Sequence, residues 1–217
     1  MSNRLALYAS KKEIEDYFQF ETKRESIFDP HYNIAPAQHI AIIHSKDGNP
    51  DILRARWGID DEMKTTSKYE LDLEEALEKL GSKNFMRCII PISGYYKWKE
   101  SGKRKENPFF IRMLDEPLMA LAAVCKTEPS DEGADFISCA LIYTEANALV
   151  QPLHPYMPLQ LNRKLAQKWL DQDENPVTIA NDAQKLFLLT DMTVLRVSKK
   201  VNDLSENSPK LIQPLPK

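Results

Sequence analysis

The stretch RCIIPISGYYKW (87–98) decides the fold. It holds two runs of strand character, RCIIPI (87–92) and YYKW (95–98), parted only by Ser93 and Gly94. So short a connection cannot carry the crossover that parallel neighbours need, and β-branched and aromatic residues dominate both runs. Similar runs lie on either side: HIAIIH (39–44), ILRARW (52–57), PFFIRM (108–113), LMALAAV (118–124) and DFISCALIY (135–143). Turn signals such as Asp47-Gly48-Asn49-Pro50 and Ser101-Gly102 separate them. Helical periodicity is confined to a few segments. One begins at Ser10, which reads as an N-cap with Glu13 closing a capping box; the others cover 71–80, 162–170 with Asn162 as cap, and 180–188. Strands outnumber helices and are joined mostly by short turns, which predicts a β-rich, largely antiparallel α+β domain with a few peripheral helices. No repeat, low-complexity linker or composition break divides the 217 residues, so a single domain over 1–217 is expected. The tail 205–217, with Pro209, Pro214 and Pro216, reads as extended.

Composition narrows the chemistry. A balance of 29 Lys+Arg against 32 Asp+Glu leaves a net charge of -3, which argues against a wholly basic nucleic-acid binder but not against a local basic face. The six glycines, at 48, 58, 81, 94, 102 and 133, are too dispersed to cradle a phosphate, so neither a dinucleotide fingerprint nor a P-loop is present and no nucleotide cofactor is expected. Cys88, Cys125 and Cys139 form no CxxC pair and each sits in an apolar run, which predicts buried small hydrophobes. Their odd number and the lack of a signal-peptide pattern predict a reducing cytoplasm. No apolar run reaches the roughly 18 residues of a membrane helix. His31, His39, His44 and His154 make no helical i, i+4 pair with an acidic partner, so no metal site is expected. Charge is unevenly spread: 60–78 is acidic, whereas 97–105 gathers Lys97, Lys99, Lys103, Arg104 and Lys105 around Trp98. The basic run reads either as a solvated hairpin tip or as a surface that stacks and neutralises single-stranded nucleic acid.

Several pieces stand in a set order: MSNR (1–4), YNIAP (32–36), WG (57–58), RCIIPISGYYKW (87–98), TEAN (144–147) and HPYMP (154–158). In residues and spacing they resemble the SRAP family, the SOS response-associated peptidases or abasic-site processing proteins. The resemblance runs from Arg4 to the closing VSKKVNDLSENSPKLIQPL (197–215). It implies a compact, barrel-like, β-rich fold with a groove for single-stranded DNA, a monomer and no cofactor. It also implies an activity: after Met1 is removed, an N-terminal cysteine captures the sugar aldehyde of an abasic site as a thiazolidine. An α-amine with a pKa of about 7.7–8.0 is partly neutral near pH 7 and attacks the aldehyde to give a Schiff base, after which the thiol closes the ring. In the family a Glu in a GFYEW-type motif, an Asn in an NAR-type motif and a His in the HxRMP motif position the sugar and move protons.

By this resemblance Ser2 and His154 are expected at the catalytic centre, and Arg4, Asn33 and Trp57 against the DNA. By residue type alone Arg4 is a surface ion-pair partner, Asn33 a turn residue and Trp57 a core residue. The family pattern is broken at several places. Ser2 stands where the family has Cys, Asn3 replaces its glycine, Lys97 takes the Glu position in GYYKW, and Tyr156 replaces the Arg in HPYMP; no NAR-x-E segment is found between Trp57 and Arg87. A serine hydroxyl closes at best an oxazolidine, which is expected to hydrolyse more readily than a thiazolidine. The expectation is therefore a protein that recognises single-stranded or abasic-site DNA with its cross-linking chemistry weakened or lost. Two other readings stay open: an active variant in which the Ser2 amine, or a desolvated Lys97, forms a Schiff base, and a non-DNA interaction protein that uses the acidic 60–78 region.

Overall fold

Each strand-like run of the sequence forms a strand in the computed structural model, which describes residues 4–25, 27–46, 48–60, 66–101, 104–128, 136–187 and 192–216. In chain order the strands are β1 (Arg4–Leu7), β2 (His31–Ile34), β3 (His39–Lys46), β4 (Asn49–Trp57), β5 (Ile59–Asp60), β6 (Ser67–Lys68), β7 (Glu70–Leu71), β8 (Phe85–Ile92), β9 (Gly94–Ser101), β10 (Arg104–Met113), β11 (Met119–Glu128), β12 (Phe136–Glu145), β13 (Tyr156–Pro158), β14 (Gln160–Leu161) and β15 (Met192–Arg196). One sheet runs β15-β10-β9-β1-β2. A second follows the path β13-β12-β4-β3-β8-β11-β14, with β7 added beside β12. Because β12 also pairs with β11, the path from β4 through β3, β8, β11 and β12 returns to β4. Pairing is antiparallel except where β12 meets β4 and β7.

The deciding stretch is where the chain changes sheets. β8 pairs with β3 and β11, whereas β9 pairs with β1 and β10. Ser93 at the corner donates its N–H to the Ala6 carbonyl at 2.7 Å, and its hydroxyl accepts from the backbone of Tyr8 and Ala9. Gly94 is required by close approach: a Cβ there would stand 2.3 Å from the Phe110 ring and 2.7 Å from the Ile111 carbonyl oxygen.

Most of the apolar surface lies in one cluster that includes Leu5, Trp57, Ile89, Tyr95, Leu141 and Trp169. A smaller one, Ala6, Tyr96, Trp98, Phe110, Val197, Val201 and Leu211, covers the other face of the five-stranded sheet. The tail is therefore not simply extended. It makes 3-10 turns at Lys199–Asn202 and Pro209–Ile212, and Leu211 is buried against the sheet because burying it removes apolar area that an extended tail would leave in water. The three cysteines are buried as expected and share one neighbourhood: Cys125 faces Cys139 across β11 and β12, and Cys88 lies on β8, the other neighbour of β11.

The helices are α1 (Lys11–Phe18), α2 (Leu73–Leu80), α3 (Arg163–Leu170) and α4 (Pro176–Leu186). Ser10 and Glu13 close the capping box on α1, and Asn162 caps α3 as read from the sequence. Two starts differ from the expectation. Leu71 is taken into β7, so α2 begins after its Asp72 cap; and α4 begins at Asn175-Pro176, where the Asn side chain accepts from two backbone amides and proline occupies the first turn.

Candidate functional site

Trp57 closes β4 with its side chain fully buried, and its indole N–H donates to the Tyr69 carbonyl at 2.9 Å. Gly58 follows at φ 138°, in the region that favours glycine, and a Cβ there would stand 2.7 Å from the Tyr69 ring. Gly58 N–H bonds to the Cys139 carbonyl and Leu141 N–H to the Tyr69 carbonyl, so the Trp-Gly pair grips the short strand that sets Glu70 opposite Leu141 on β12. The packing gain of a large ring outweighs exposure here, in line with Trp57 as a core residue by type. Asn33 is held by the tail. It is fully buried, and its side-chain amide donates to the carbonyls of Asp203 and Glu206, clasping the tail against β2. Its side-chain oxygen has no hydrogen-bond partner among the described residues.

Arg4 is half-buried at the start of β1, and burial lowers its guanidinium pKa. Its register partner is Tyr96, and strand alternation puts it on the face of Ala6, above the smaller cluster. Ser2 lies outside the described residues. Trp98, a stacking residue on one of the two readings of the basic run, is buried and donates its indole N–H to Asn202. The side chains of 101–106, and with them most of the basic run, also lie outside what is described.

Position 97, where the resemblance places a Glu, holds a lysine only 3% exposed. The register of β9 against β10 is unbroken from Tyr95 to Lys97, so Lys97 shares the face of Tyr95 and points toward the main cluster. Glu70 is half-buried: burial raises its carboxyl pKa, while the positive charge of Lys97 pulls it back. Lys97 and Glu70 are therefore within electrostatic reach of one another, and the position's cation is answered by a carboxylate delivered from another sheet.

Glu70 also reaches the other way. The Tyr143 phenol is held above its ordinary value first by desolvation, then by the charges of Asp72, Tyr156, Glu75 and Glu70. Tyr143 and Tyr156 project from neighbouring strands with ring centroids 5.2 Å apart, and the His154 ring lies 6.1 Å from that of Tyr156. His154 sits at the end of a turn closed by its N–H on the Val150 carbonyl, and its Nδ1 is 3.0 Å from both the backbone N and O of Tyr156. Beside these rings opens a cleft of about 660 Å³, bounded by Asp72, Glu145, Met157 and the α4 residues Asn181, Gln184 and Lys185.

The structure thus brings His154, Tyr156 and Tyr143 together, sets Glu70 within electrostatic reach of Tyr143 and of Lys97, and places Asn33 and Trp57 in the surrounding packing. Glu70 and Tyr143 were not anticipated. A signal existed for Glu70: Thr66-Ser67-Lys68-Tyr69-Glu70 keeps the basic-x-acidic ending of NAR-x-E, hidden among other acidic residues. The described part of that acidic region is engaged locally, Asp60 with Arg56 and Ser67, and Glu75 with Lys68 and Lys79.

Residues 1–204 match the family model described as SOS response associated peptidase (SRAP). Among curated relatives, the abasic site processing protein YoaM of Bacillus subtilis is 30% identical, with 98% of this chain and 97% of that protein covered. The abasic site processing proteins YoqW of Bacillus subtilis and YedK of Escherichia coli are 27% and 23% identical, over 98% and 96% of this chain and 99% and 98% of theirs. A crystal structure of a protein from Bacteroides thetaiotaomicron superposes with a TM-score of 0.78 at 21% identity, covering 98% of this chain and 99% of that one, which shows a shared fold.

Proposed function

Since the chain belongs to the SRAP family, we propose that it recognises abasic sites in single-stranded DNA, as a monomer in the cytoplasm and without a nucleotide cofactor, and that its covalent capture of the lesion is weakened. The observation that carries the second part is the buried Lys97 at the position of the family's Glu. A cation there cannot accept a proton from an attacking amine, and Ser2 supplies no thiol to close a thiazolidine. Support for recognition comes from the relatives, which are named abasic site processing proteins along their whole length.

The half-buried Glu70, whose carboxyl is held above its ordinary pKa, favours a second reading, in which a transient Schiff base still forms. The α-amine lone pair adds to the sugar aldehyde, giving a carbinolamine. Glu70, protonated more readily than an ordinary carboxyl, donates its proton to the hydroxyl, which leaves as water; the nitrogen's proton returns to the carboxylate as the imine is neutralised. His154 is the other group expected to move protons at this centre.

One experiment separates the two. The Met-processed protein is incubated with single-stranded DNA carrying an abasic aldehyde, with and without borohydride, and resolved on native and denaturing gels. A native complex without a covalent band supports recognition with lost chemistry. A borohydride-dependent band abolished by acetylating the α-amine supports the Schiff base, and absence of any complex at low salt overturns both.

A further inference from the structure

Tyr156 stands where the family motif carries an arginine, and its ring is 40% exposed at the mouth of the 660 Å³ cleft, a volume within the roughly 300–1,000 Å³ typical of small-ligand sites. Glu145 pairs with Tyr156 across β12 and β13, and Tyr143 lies two residues before Glu145, so both tyrosines point to the same side of the sheet. Their planes meet at 59°, forming an angled notch that offers one ring face and one ring edge. His154 flanks the notch. Among the described residues, the walls carry the carboxylates of Asp72 and Glu145 against one cation, Lys185. A phosphate placed there meets like charge. A flat, neutral, π-faced group does not, and its amino edges find acceptors in the carboxylates. The upward pull on the Tyr143 phenol from its acidic neighbours points to the same field.

We propose that the Tyr143–Tyr156 notch is a base-stacking subsite that takes the unpaired nucleobase next to the abasic position. The proposal rests on the reading that the chain binds abasic single-stranded DNA. It puts a stacking ring where the family motif carries a cation, so this part of the affinity depends on a base being present and not on salt.

The test uses the full chain and short single strands carrying one tetrahydrofuran abasic analogue, which cannot react, with the neighbouring base either present or removed. Equilibrium anisotropy is measured for wild type, Tyr156→Ala, Tyr156→Phe and Tyr156→Arg. Removing the base on one side should weaken wild type by about 5- to 150-fold, the range of one base–aromatic stack. Tyr156→Ala should lose a similar factor on the intact strand and become indifferent to base removal, while Tyr156→Phe keeps wild-type behaviour. Tyr156→Arg should steepen the slope of log K against log salt by about 0.7, one phosphate's worth on a single strand, whereas Tyr156→Ala leaves the slope unchanged. The subsite is overturned if wild type ignores removal of either neighbouring base, or if Tyr156→Ala responds to it as strongly as wild type. Failure of wild type to bind any of the strands at low salt overturns the DNA reading and the subsite together; binding without that coupling removes the subsite alone.

Discussion

On the outer face of the five-stranded sheet, Asn33, Tyr96 and Trp98 aim their donors at the chain itself: at Asp203 and Glu206, at Tyr32, and at Asn202. At the cleft beside β13, Tyr143, Tyr156 and His154 leave their rings partly in solvent and meet one another at tilted angles. Both regions are built from pieces of the same ordered motif set, and both are rich in residues that bind nucleic acid elsewhere. What distinguishes them is burial. A donor already satisfied inside the fold supports the site, and an aromatic face left open is part of it.

The sharpest way to break this division is Trp57→Ala. The loss of a fully buried indole and its bond to Tyr69 should cost about 3–5 kcal/mol, read as a fall in the urea midpoint. Unchanged stability with abolished DNA binding would put Trp57 back among the contacts. Asn33→Ala should cost about 1–3 kcal/mol by stranding the Asp203 and Glu206 carbonyls, with new protease cleavage in 198–213 and unchanged DNA affinity well below the melting temperature. In the cleft, Tyr156→Ala should move stability by no more than about 0.5 kcal/mol, because its ring is already 40% exposed.

Glu70 lies between the two regions, and its effect is carried by pH. A carboxyl whose folded pKa is raised binds its proton more tightly folded than unfolded. Its contribution is therefore fully present below the ordinary value of 4.5 and is lost as pH rises through the higher folded value. The stability of wild type minus that of Glu70→Gln should fall across that window and level off above it, as measured by urea titration at a series of pH values. A flat difference would place Glu70 in solvent, away from the Lys97 neighbourhood.

How much of this was legible beforehand depended on whether the information was local. The capping box of α1, the Asn162 cap and the longer strands are written in periods of two or four residues and were read directly. β5, β6, β7 and β14 are two residues long, too short to show any period, and β7 is the one that carries Glu70. The closeness of Lys97 and Glu70 joins strands of different sheets, which no spacing along the chain encodes. Motif order found the family but not the exposure of its members, so Trp57 and Asn33 were expected against DNA although they lie in the packing. The prolines of the tail suggested an extended segment, while the Leu211 that anchors it went unweighed.

The cluster of Cys88, Cys125 and Cys139 makes the strand ring its own timekeeper. Burial pushes the Cys88 and Cys139 thiols well up, and none of the three is more than 1% exposed, so an alkylating reagent waits for the strands to part. Because β8, β11 and β12 are consecutive partners, one separation uncovers all three sulfurs, and the rate at which they are labelled together measures how often the heart of the protein opens.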